Sequence, residues 1–172
     1  MRKLSKLILA AIALSAFAAA GPQVPRKAAE FVIQSPDGKQ QLLSSYRGKT
    51  VVLALLFTTC PHCQKAAGIL ARVQKDYADR GVQVLGATFD QGAPFNVQNF
   101  NKTYGVNFPC GYSNQKAVMD FLQITDPPFV PDMVFIDKTG VIRAQYVGDE
   151  KFLENEEKNI RAELDKMLKK RD

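Results

Sequence analysis

The sequence predicts an α/β fold in which helices flank both faces of a central mixed β-sheet. Segments with the residue pattern of strands alternate with segments that have the pattern of helices, and this order is typical of a helix-covered sheet. One continuous apolar run, Val51–Phe57, indicates a central strand that is buried on both faces. A length of 172 residues, of which 46% are apolar and 23% charged, suits a single domain.

The N-terminal segment is typical of a secretory signal peptide, which we predict over residues 1–20. Three basic residues precede an apolar run that is shorter than a stable membrane span, and small residues with the Ala-x-Ala cleavage pattern follow. An uncleaved N-terminal anchor is the alternative, and it would be the only expected contact with a membrane. Export predicts a compartment in which disulfides persist, such as the bacterial periplasm.

Residues 21–30, which contain two prolines, are predicted to be a flexible leader, and residues 31–172 the folded domain. The domain opens with a β-hairpin, because a Ser-Pro-Asp-Gly turn joins two short strand patterns. A βα insertion is expected in the centre of the domain. In chain order, the predicted elements are strands 31–33, 41–44 and 51–57, helix 61–79, strand 82–89, helix 94–104, a short strand or loop that contains Cys110, helix 115–122, strands 132–137 and 141–147, and helix 149–170.

The net charge of +6 does not indicate a nucleic-acid partner. Removal of residues 1–20 takes away three of the 23 basic residues and none of the 17 acidic ones, which leaves a net charge of +3. Several of the remaining basic residues lie at the end of the terminal helix, where cations complement the helix dipole. These residues are Lys166, Lys169, Lys170 and Arg171.

Two cysteines, Cys60 and Cys63, mark the candidate site because they bracket the start of a helix that follows the buried strand. Unpaired N–H groups and the positive end of the helix dipole favour the thiolate of Cys60. Pro61 suits the first helical turn because it lacks an N–H, and a protonated His62 would add a cation beside that thiolate. The Cys60–Cys63 pair is therefore predicted to be a redox-active disulfide that exchanges with other thiols and needs no further cofactor.

Two other interpretations of this pair are a permanent structural disulfide and part of a zinc site. Structural zinc takes four ligands, and the chain offers at most three cysteines and one histidine, without a second Cys-x-x-Cys. His62 lies inside the short loop, where it cannot easily bind the same metal as its neighbours. We therefore expect no metal. The third cysteine, Cys110, is predicted to be a buried core thiol, with a regulatory or intermolecular thiol as the alternative.

The expected mature chain resembles the thioredoxin superfamily over its whole length. The resemblance rests on the strand–Cys-x-x-Cys–helix unit, on FVPDMVFID at residues 129–137 and on GVI at residues 140–142. The hairpin and the insertion are most similar to the secreted TlpA/ResA-like branch, of the redoxin (AhpC/TSA) type. The tetrapeptide Cys-Pro-His-Cys is similar to that of DsbA-type oxidases.

This resemblance implies a thioredoxin-like fold and a role for each site residue. Cys60 would attack, Cys63 would resolve the mixed disulfide, and Pro131 would be a cis-proline that faces the pair. Together with Phe129 and Val130, Pro131 would bind an extended substrate, the backbone of Val130 being free to pair with it. An ordinary trans proline in a turn is the alternative for Pro131.

Three positions depart from these families. Ala54 stands where thioredoxins carry a buried aspartate, and Ala66 stands where ResA-like proteins carry a glutamate. No acid that would assist proton transfer from Cys63 is therefore evident in the sequence. Gly68 replaces the helix-kinking proline of thioredoxins, and a glycine still permits a bend.

The leading hypothesis is a secreted thiol–disulfide oxidoreductase that acts on protein cysteines and is recycled by an unidentified redox partner. Its direction stays open, because the tetrapeptide favours an oxidant or isomerase whereas the TlpA/ResA-like body favours a reductant. A peroxiredoxin-like thiol peroxidase is the first alternative, although its P-x-x-x-T-x-x-C pattern fails at Leu53 and Phe57. A Sco-like copper protein is the second, although no histidine follows His62.

Overall fold

The computed structural model describes residues 23–169, and the predicted signal peptide at residues 1–20 lies outside them. Strands and helices alternate through the described chain in the predicted order. The strands are β1 (Arg26–Lys27), β2 (Val32–Gln34), β3 (Gln40–Leu42), β4 (Thr50–Leu56), β5 (Val82–Thr88), β6 (Cys110–Tyr112), β7 (Asp132–Ile136) and β8 (Val141–Tyr146). The helices are α1 (Pro61–Tyr77), α2 (Ala93–Thr103), α3 (Gln115–Leu122), α4 (Glu150–Glu154) and α5 (Glu156–Lys169).

The eight described strands form one mixed sheet in the order β1-β8-β7-β4-β5-β6-β2-β3. The β4–β5 and β5–β6 pairs are parallel, and the other pairs are antiparallel. Because β4 and β5 run side by side in the same direction, the loops that follow them lie at the same edge of the sheet. The helix α1 starts at this edge, and so does the candidate site.

Helices cover both faces of the sheet, as predicted. Successive side chains of β4 point to opposite faces, and its apolar side chains are at most 2% exposed. On one face, Val52 and Leu56 pack in a core with α1, α2, α4 and α5. On the other face, Leu53 and Leu55 pack with α3. This burial on both sides explains why β4 reads as a continuous apolar run rather than as an alternating pattern.

The flexible leader predicted over residues 21–30 is wrong in its second half. Arg26–Lys27 pair with β8 at the edge of the sheet, and the Ala28 N–H donates to the carbonyl of Gly140 at 2.9 Å. The guanidinium of Arg26 also donates to the carbonyl of Phe121 at 3.0 Å. These partners are distant in sequence, so the local pattern, with its two prolines, does not predict the edge strand Arg26–Lys27.

Two further elements differ from the prediction. The strand expected over residues 41–44 ends at Leu42, and a 3₁₀ turn over Leu43–Tyr46 follows it. The terminal helix predicted over residues 149–170 is two helices that are separated at Asn155. There the side-chain amide of Asn159 donates to the carbonyl of Phe152 at 2.8 Å.

Cys110 is a core residue, as predicted. It opens β6, its side chain is 5% exposed, and burial raises the pKa of its thiol to about 12. The neighbouring strand accommodates it with Gly86, because a β-carbon there would lie 2.6 Å from the Cys110 sulfur. Among residues 23–169, no helix is both long and apolar enough to cross a membrane.

Candidate active site

Cys60 and Cys63 lie at the junction between the central strand and the first helix. After β4 ends at Leu56, a short loop leads to Cys60, which is the N-cap residue of α1 in an extended conformation. Pro61 occupies the first helical turn, where its missing N–H leaves no donor without a partner. This arrangement places Cys60 beside the N–H groups and the positive end of the helix dipole.

The two cysteines differ sharply in exposure. Cys60 is partly exposed at the helix end, whereas Cys63, one turn into the helix, is 0% exposed in the core. Both are free thiols in this structure, as is Cys110. A reagent that approaches the site therefore meets Cys60 first, and Cys63 is accessible only from within the protein.

The loop before β7, the strand that pairs with β4, lies against Cys60. The Cys60 thiol donates to the carbonyl oxygen of Val130 at 3.7 Å, and the Val130–Pro131 peptide bond is cis, which is the isomer that the sequence predicts. Pro131 itself is buried, Val130 is partly exposed, and Phe129 is 85% exposed. Of the three residues predicted to contact substrate, Val130 therefore contacts Cys60 directly, and Phe129 and Pro131 are its neighbours in the chain.

The surroundings of Cys63 keep it a neutral thiol. Burial raises the pKa of this thiol above its ordinary range, and the N–H of Phe57, which donates to its sulfur at 3.3 Å, offsets only part of this effect. The charges of Cys60 and Asp132 raise the pKa of Cys63 further. Cys63 therefore needs a place for its proton before its sulfur can act as a nucleophile.

A carboxylate from the neighbouring strand holds the loop before Cys60. Asp90, just after β5, accepts hydrogen bonds from the Thr58 N–H and the Thr58 hydroxyl, both at 2.7 Å. The side-chain amide of Gln64, in the first turns of α1, donates to the carbonyl of Thr58 at 3.1 Å. Sequence reasoning did not find Asp90, although its position after a parallel strand beside β4 is a signal that could have pointed to it.

A second carboxyl that sequence reasoning missed lies directly after the cis-proline. Asp132 is 0% exposed, and its Oδ1 accepts the Gly148 N–H at 2.8 Å. Its Oδ2 has no hydrogen-bond partner among the described residues. Burial raises the pKa of this carboxyl to about 7, against the effect of the Gly148 N–H. An aspartate inside an otherwise apolar strand was the signal available in the sequence.

His62, which was predicted to favour the Cys60 thiolate, is exposed on the first turn of α1. Its predicted effect on the Cys60 thiolate stays a prediction. Metal ligands need to converge, and within residues 23–169 no three His, Cys, Asp or Glu side chains are grouped so that they could hold a metal ion.

The fold and the site, a dithiol at a helix start beside a cis-proline, define a thioredoxin-like thiol–disulfide protein.

Comparison with known proteins agrees with this class. The sequence profile of the AhpC/TSA family matches residues 24–145. The chain is 32% identical over 101 residues to the thiol-disulfide oxidoreductase ResA of Bacillus subtilis, an alignment that covers 59% of this chain and 56% of that protein. It is 26% identical over 128 residues to ResA of Bacillus anthracis, which covers 74% of this chain and 72% of the relative.

A solved structure shows the same fold. A thiol:disulfide interchange protein of the thioredoxin family from Chlorobium tepidum superimposes with a TM-score of 0.67 at 24% identity, over 86% of this chain and 99% of that one. The chain belongs to the AhpC/TSA family, and the two relatives above are named thiol-disulfide oxidoreductases.

Proposed function

We propose that the protein is an exported oxidoreductase that exchanges disulfides with protein cysteines, Cys60 attacking and Cys63 resolving. The observation that carries this proposal is the difference between the two thiols, since Cys60 is accessible at the helix start and Cys63 is fully buried behind it. Only the accessible sulfur can form a bond to a macromolecular partner. The buried sulfur is placed to break that bond from inside.

In the reductive direction, the Cys60 thiolate attacks one sulfur of a substrate disulfide. The other substrate sulfur leaves as a thiolate, and a mixed disulfide joins Cys60 to the substrate. Cys63 then loses its proton and attacks the Cys60 sulfur, which releases the second substrate thiolate and forms the Cys60–Cys63 disulfide. Two electrons pass to the substrate, and the same steps in reverse oxidise a substrate dithiol. A redox partner, itself a dithiol or disulfide protein, returns the pair to its starting state.

The substrate approaches along the segment before β7. The Val130 carbonyl, which already lies 3.7 Å from the Cys60 sulfur, can accept a backbone N–H from an extended chain that presents its cysteine. Pro131 has no N–H that would compete beside the sulfurs. The exposed ring of Phe129 offers an apolar contact at the same place. These features favour an extended protein segment as the substrate.

The proposed compartment is the bacterial periplasm, supported by the signal-peptide pattern of residues 1–20. There a dithiol pair can be kept in either redox state by its partner. Mass spectrometry of the exported protein checks this part of the proposal, because cleavage removes that segment and an uncleaved anchor retains it.

The exchange mechanism predicts opposite outcomes for the two cysteines. Cys60→Ser abolishes both reduction of insulin and oxidation of a reduced test protein, because no mixed disulfide can form. Cys63→Ser still forms the mixed disulfide and accumulates it as a covalent adduct, visible on a non-reducing gel. Cys110→Ala is the matched control, since it removes the third thiol from the core and leaves the exchange site intact.

Full turnover by Cys63→Ser would contradict the resolving role, and a wild-type protein inactive in both assays would contradict the proposed function. Peroxide consumption with a thiol donor would instead indicate the peroxidase alternative. Direction follows from one measurement, the reduction potential of the Cys60–Cys63 pair. A potential near that of thioredoxin, about −270 mV, indicates a reductant, and one far above it an oxidant.

A further inference from the structure

The exchange mechanism leaves one buried ionisable group unused, the carboxyl of Asp132. The side chain is 0% exposed, and a single hydrogen bond from the Gly148 N–H satisfies only one of its oxygens. The other oxygen, Oδ2, is buried without a partner among residues 23–169. An unsatisfied buried carboxylate is costly, so a carboxyl retained in this state calls for a physical reason.

Asp132 lies where the loop that contacts Cys60 meets the strand that leads to the cysteine pair, because it pairs with Leu55 of β4. It follows Pro131 directly, and the carbonyl of Val130, just before that proline, accepts a hydrogen bond from the Cys60 thiol. The charge of Asp132 is the smallest of the influences that raise the pKa of the Cys63 thiol in α1. Because the interaction is reciprocal, ionisation of Cys63 must in turn oppose ionisation of Asp132.

Among the described residues, no charged side chain shifts the pKa of Asp132. Leu55 of β4 pairs with it across the sheet, and the loop after β8 contributes the Gly148 N–H. Burial and this one N–H determine its pKa of about 7. Near neutral pH, the carboxyl can therefore either give or take a proton, which is the property that a proton-transfer group requires.

Among residues 23–169, the other groups that could take a proton near the site are engaged or exposed, and the Asp90 carboxylate already accepts two hydrogen bonds from Thr58. The positions where related families carry an acid are Ala54 and Ala66, both buried alanines. His62 is exposed, on the solvent side of the helix start. The other deeply buried carboxyl, Glu156, is influenced by the charge of Lys65 and is not among the groups that shift the pKa of Cys63.

We propose that Asp132 accepts the proton of Cys63 when the mixed disulfide resolves and returns it when the dithiol is regenerated. This inference rests on the proposed function of the cysteine pair. As the proton moves from the Cys63 sulfur to the Asp132 carboxylate, that sulfur attacks the Cys60 sulfur. The bond between Cys60 and the substrate breaks, and the substrate leaves as a thiolate. The apolar pocket thus holds one negative charge at a time rather than two.

Stopped-flow reaction of the reduced protein with 5,5′-dithiobis(2-nitrobenzoate) tests the proposal. The first nitrothiobenzoate is released when Cys60 attacks, and the second when Cys63 resolves. Asp132→Asn leaves the first phase unchanged and slows the second about tenfold to 100-fold near pH 7. The deficit shrinks at higher pH, because loss of the carboxylate charge lowers the pKa of Cys63 and hydroxide then ionises the thiol directly.

Glu156→Gln is the matched control. Glu156 is 6% exposed, its Oε1 also lacks a partner among the described residues, and burial raises its pKa to about 7, so the variant removes a similar carboxyl away from the sulfurs. Both phases of this variant should match the wild type. A second phase that is equally affected in both variants, or unaffected in Asp132→Asn, overturns the proposal. Absence of the first phase in wild type would instead refute the proposed function.

A measurement on the wild-type protein covers the case in which Asp132→Asn fails to fold. The ¹³C chemical shift of the Cys63 β-carbon, followed from pH 5 to 10, should show an inflection near pH 7 in addition to that of the thiol, because the two groups titrate together. Asp132→Glu, which keeps the carboxyl, should retain this inflection. A Cys63 signal that senses no ionisation near pH 7 overturns the proposal.

Discussion

Cys60 and Cys63 are the same residue type, three positions apart, and the fold gives them different chemistry. One sulfur lies at the helix start under a carbonyl from a distant loop, and the other is enclosed by the core. Residue type and spacing identify the pair, but burial of Cys63 raises the pKa of its thiol, and the Phe57 N–H offsets only part of this effect. The division of labour between attack and resolution therefore depends on tertiary structure at the scale of single side chains.

Asp90 should matter for the precision of this site. Asp90→Ala removes both hydrogen bonds to Thr58, so the loop before Cys60 loses its attachment to the end of β5. We expect a loss of about 1–3 kcal/mol in the free energy of unfolding and a several-fold slower attack by Cys60. Denaturant titration measures the free energy of unfolding. The first phase of the reaction with 5,5′-dithiobis(2-nitrobenzoate) measures the rate of attack by Cys60.

Asp120→Ala is the control for Asp90. Asp120 is exposed on α3 and pairs with Lys116 at 2.6 Å, an ion pair that water screens. This control should change the free energy of unfolding by no more than about 0.5 kcal/mol and leave the rate unchanged. If both variants behave alike, the contacts of Asp90 with Thr58 do not position the loop.

The sequence predicts the cysteine pair and the proline beside it, but it does not predict the two carboxyls. Cys60, Cys63 and Pro131 can be predicted from the sequence because each belongs to a short local pattern. Asp132 reaches the end of β4 through antiparallel pairing of β4 and β7, and its partner Leu55 is 77 positions away in the chain. The positions at which related families carry an acid hold Ala54 and Ala66 in this chain. The carboxyl of Asp132 comes instead from another strand, β7.

Secondary-structure elements also divide into those with a local sequence signal and those that depend on tertiary contacts. The central strand and α1 are predictable because burial on two faces and helical periodicity are local signals. The edge strand β1 and the break at Asn155 depend on contacts with β8 and with Asn159, which the local pattern does not contain. Gly68, for which a bend was allowed, lies in the interior of the uninterrupted helix α1.

Two glycines in different elements should respond oppositely to alanine. At Gly68 a β-carbon would meet nothing within 4 Å, so Gly68→Ala should stabilise the protein by about 0.5–1 kcal/mol through helix propensity. At Gly111 in β6, a β-carbon would clash with the backbone carbonyl of Gln34 in β2, so Gly111→Ala should cost at least about 1–3 kcal/mol.

Urea denaturation of the two variants, with the cysteine pair kept reduced, measures both free energies. Because the substitution is identical, each variant serves as the control for the other. A destabilised Gly68→Ala would mean that α1 needs flexibility at this position. An unchanged Gly111→Ala would mean that β2 and β6 approach each other less closely than the backbone indicates.

For the whole molecule, the charged groups fall into two sets with opposite effects on stability. Burial alone would raise the pKa of Asp137, but hydrogen bonds from Thr139, Val141 and Arg143 bring it down to about 2. Hydrogen bonds from Arg72 and Arg161 likewise lower the pKa of Glu157 to about 2. These two groups stabilise the fold above about pH 4, and that contribution is lost as the pH falls towards 2.

The buried carboxyls Asp132 and Glu156 act in the other direction. Burial raises the pKa of each to about 7, so between about pH 4 and pH 7 the folded protein keeps protons that the unfolded chain has released. Stability contributed by these groups is complete below about pH 4 and declines as the pH rises through 7. Together with the first set, they place maximal stability of the reduced protein on the acidic side of neutrality, near pH 4–5.

Thermal unfolding of the reduced protein at pH 5 and pH 8 tests this expectation. The wild type should be less stable at pH 8 by on the order of 3 kcal/mol, since ionisation of both buried carboxyls opposes folding. In the double variant Asp132→Asn/Glu156→Gln, most of this difference should disappear, because an amide does not ionise. The exposed-site variant Asp120→Asn serves as the control and should keep the wild-type difference. If the double variant also keeps that difference, the pH dependence arises elsewhere, and the two carboxyls do not hold protons in the folded state at neutral pH.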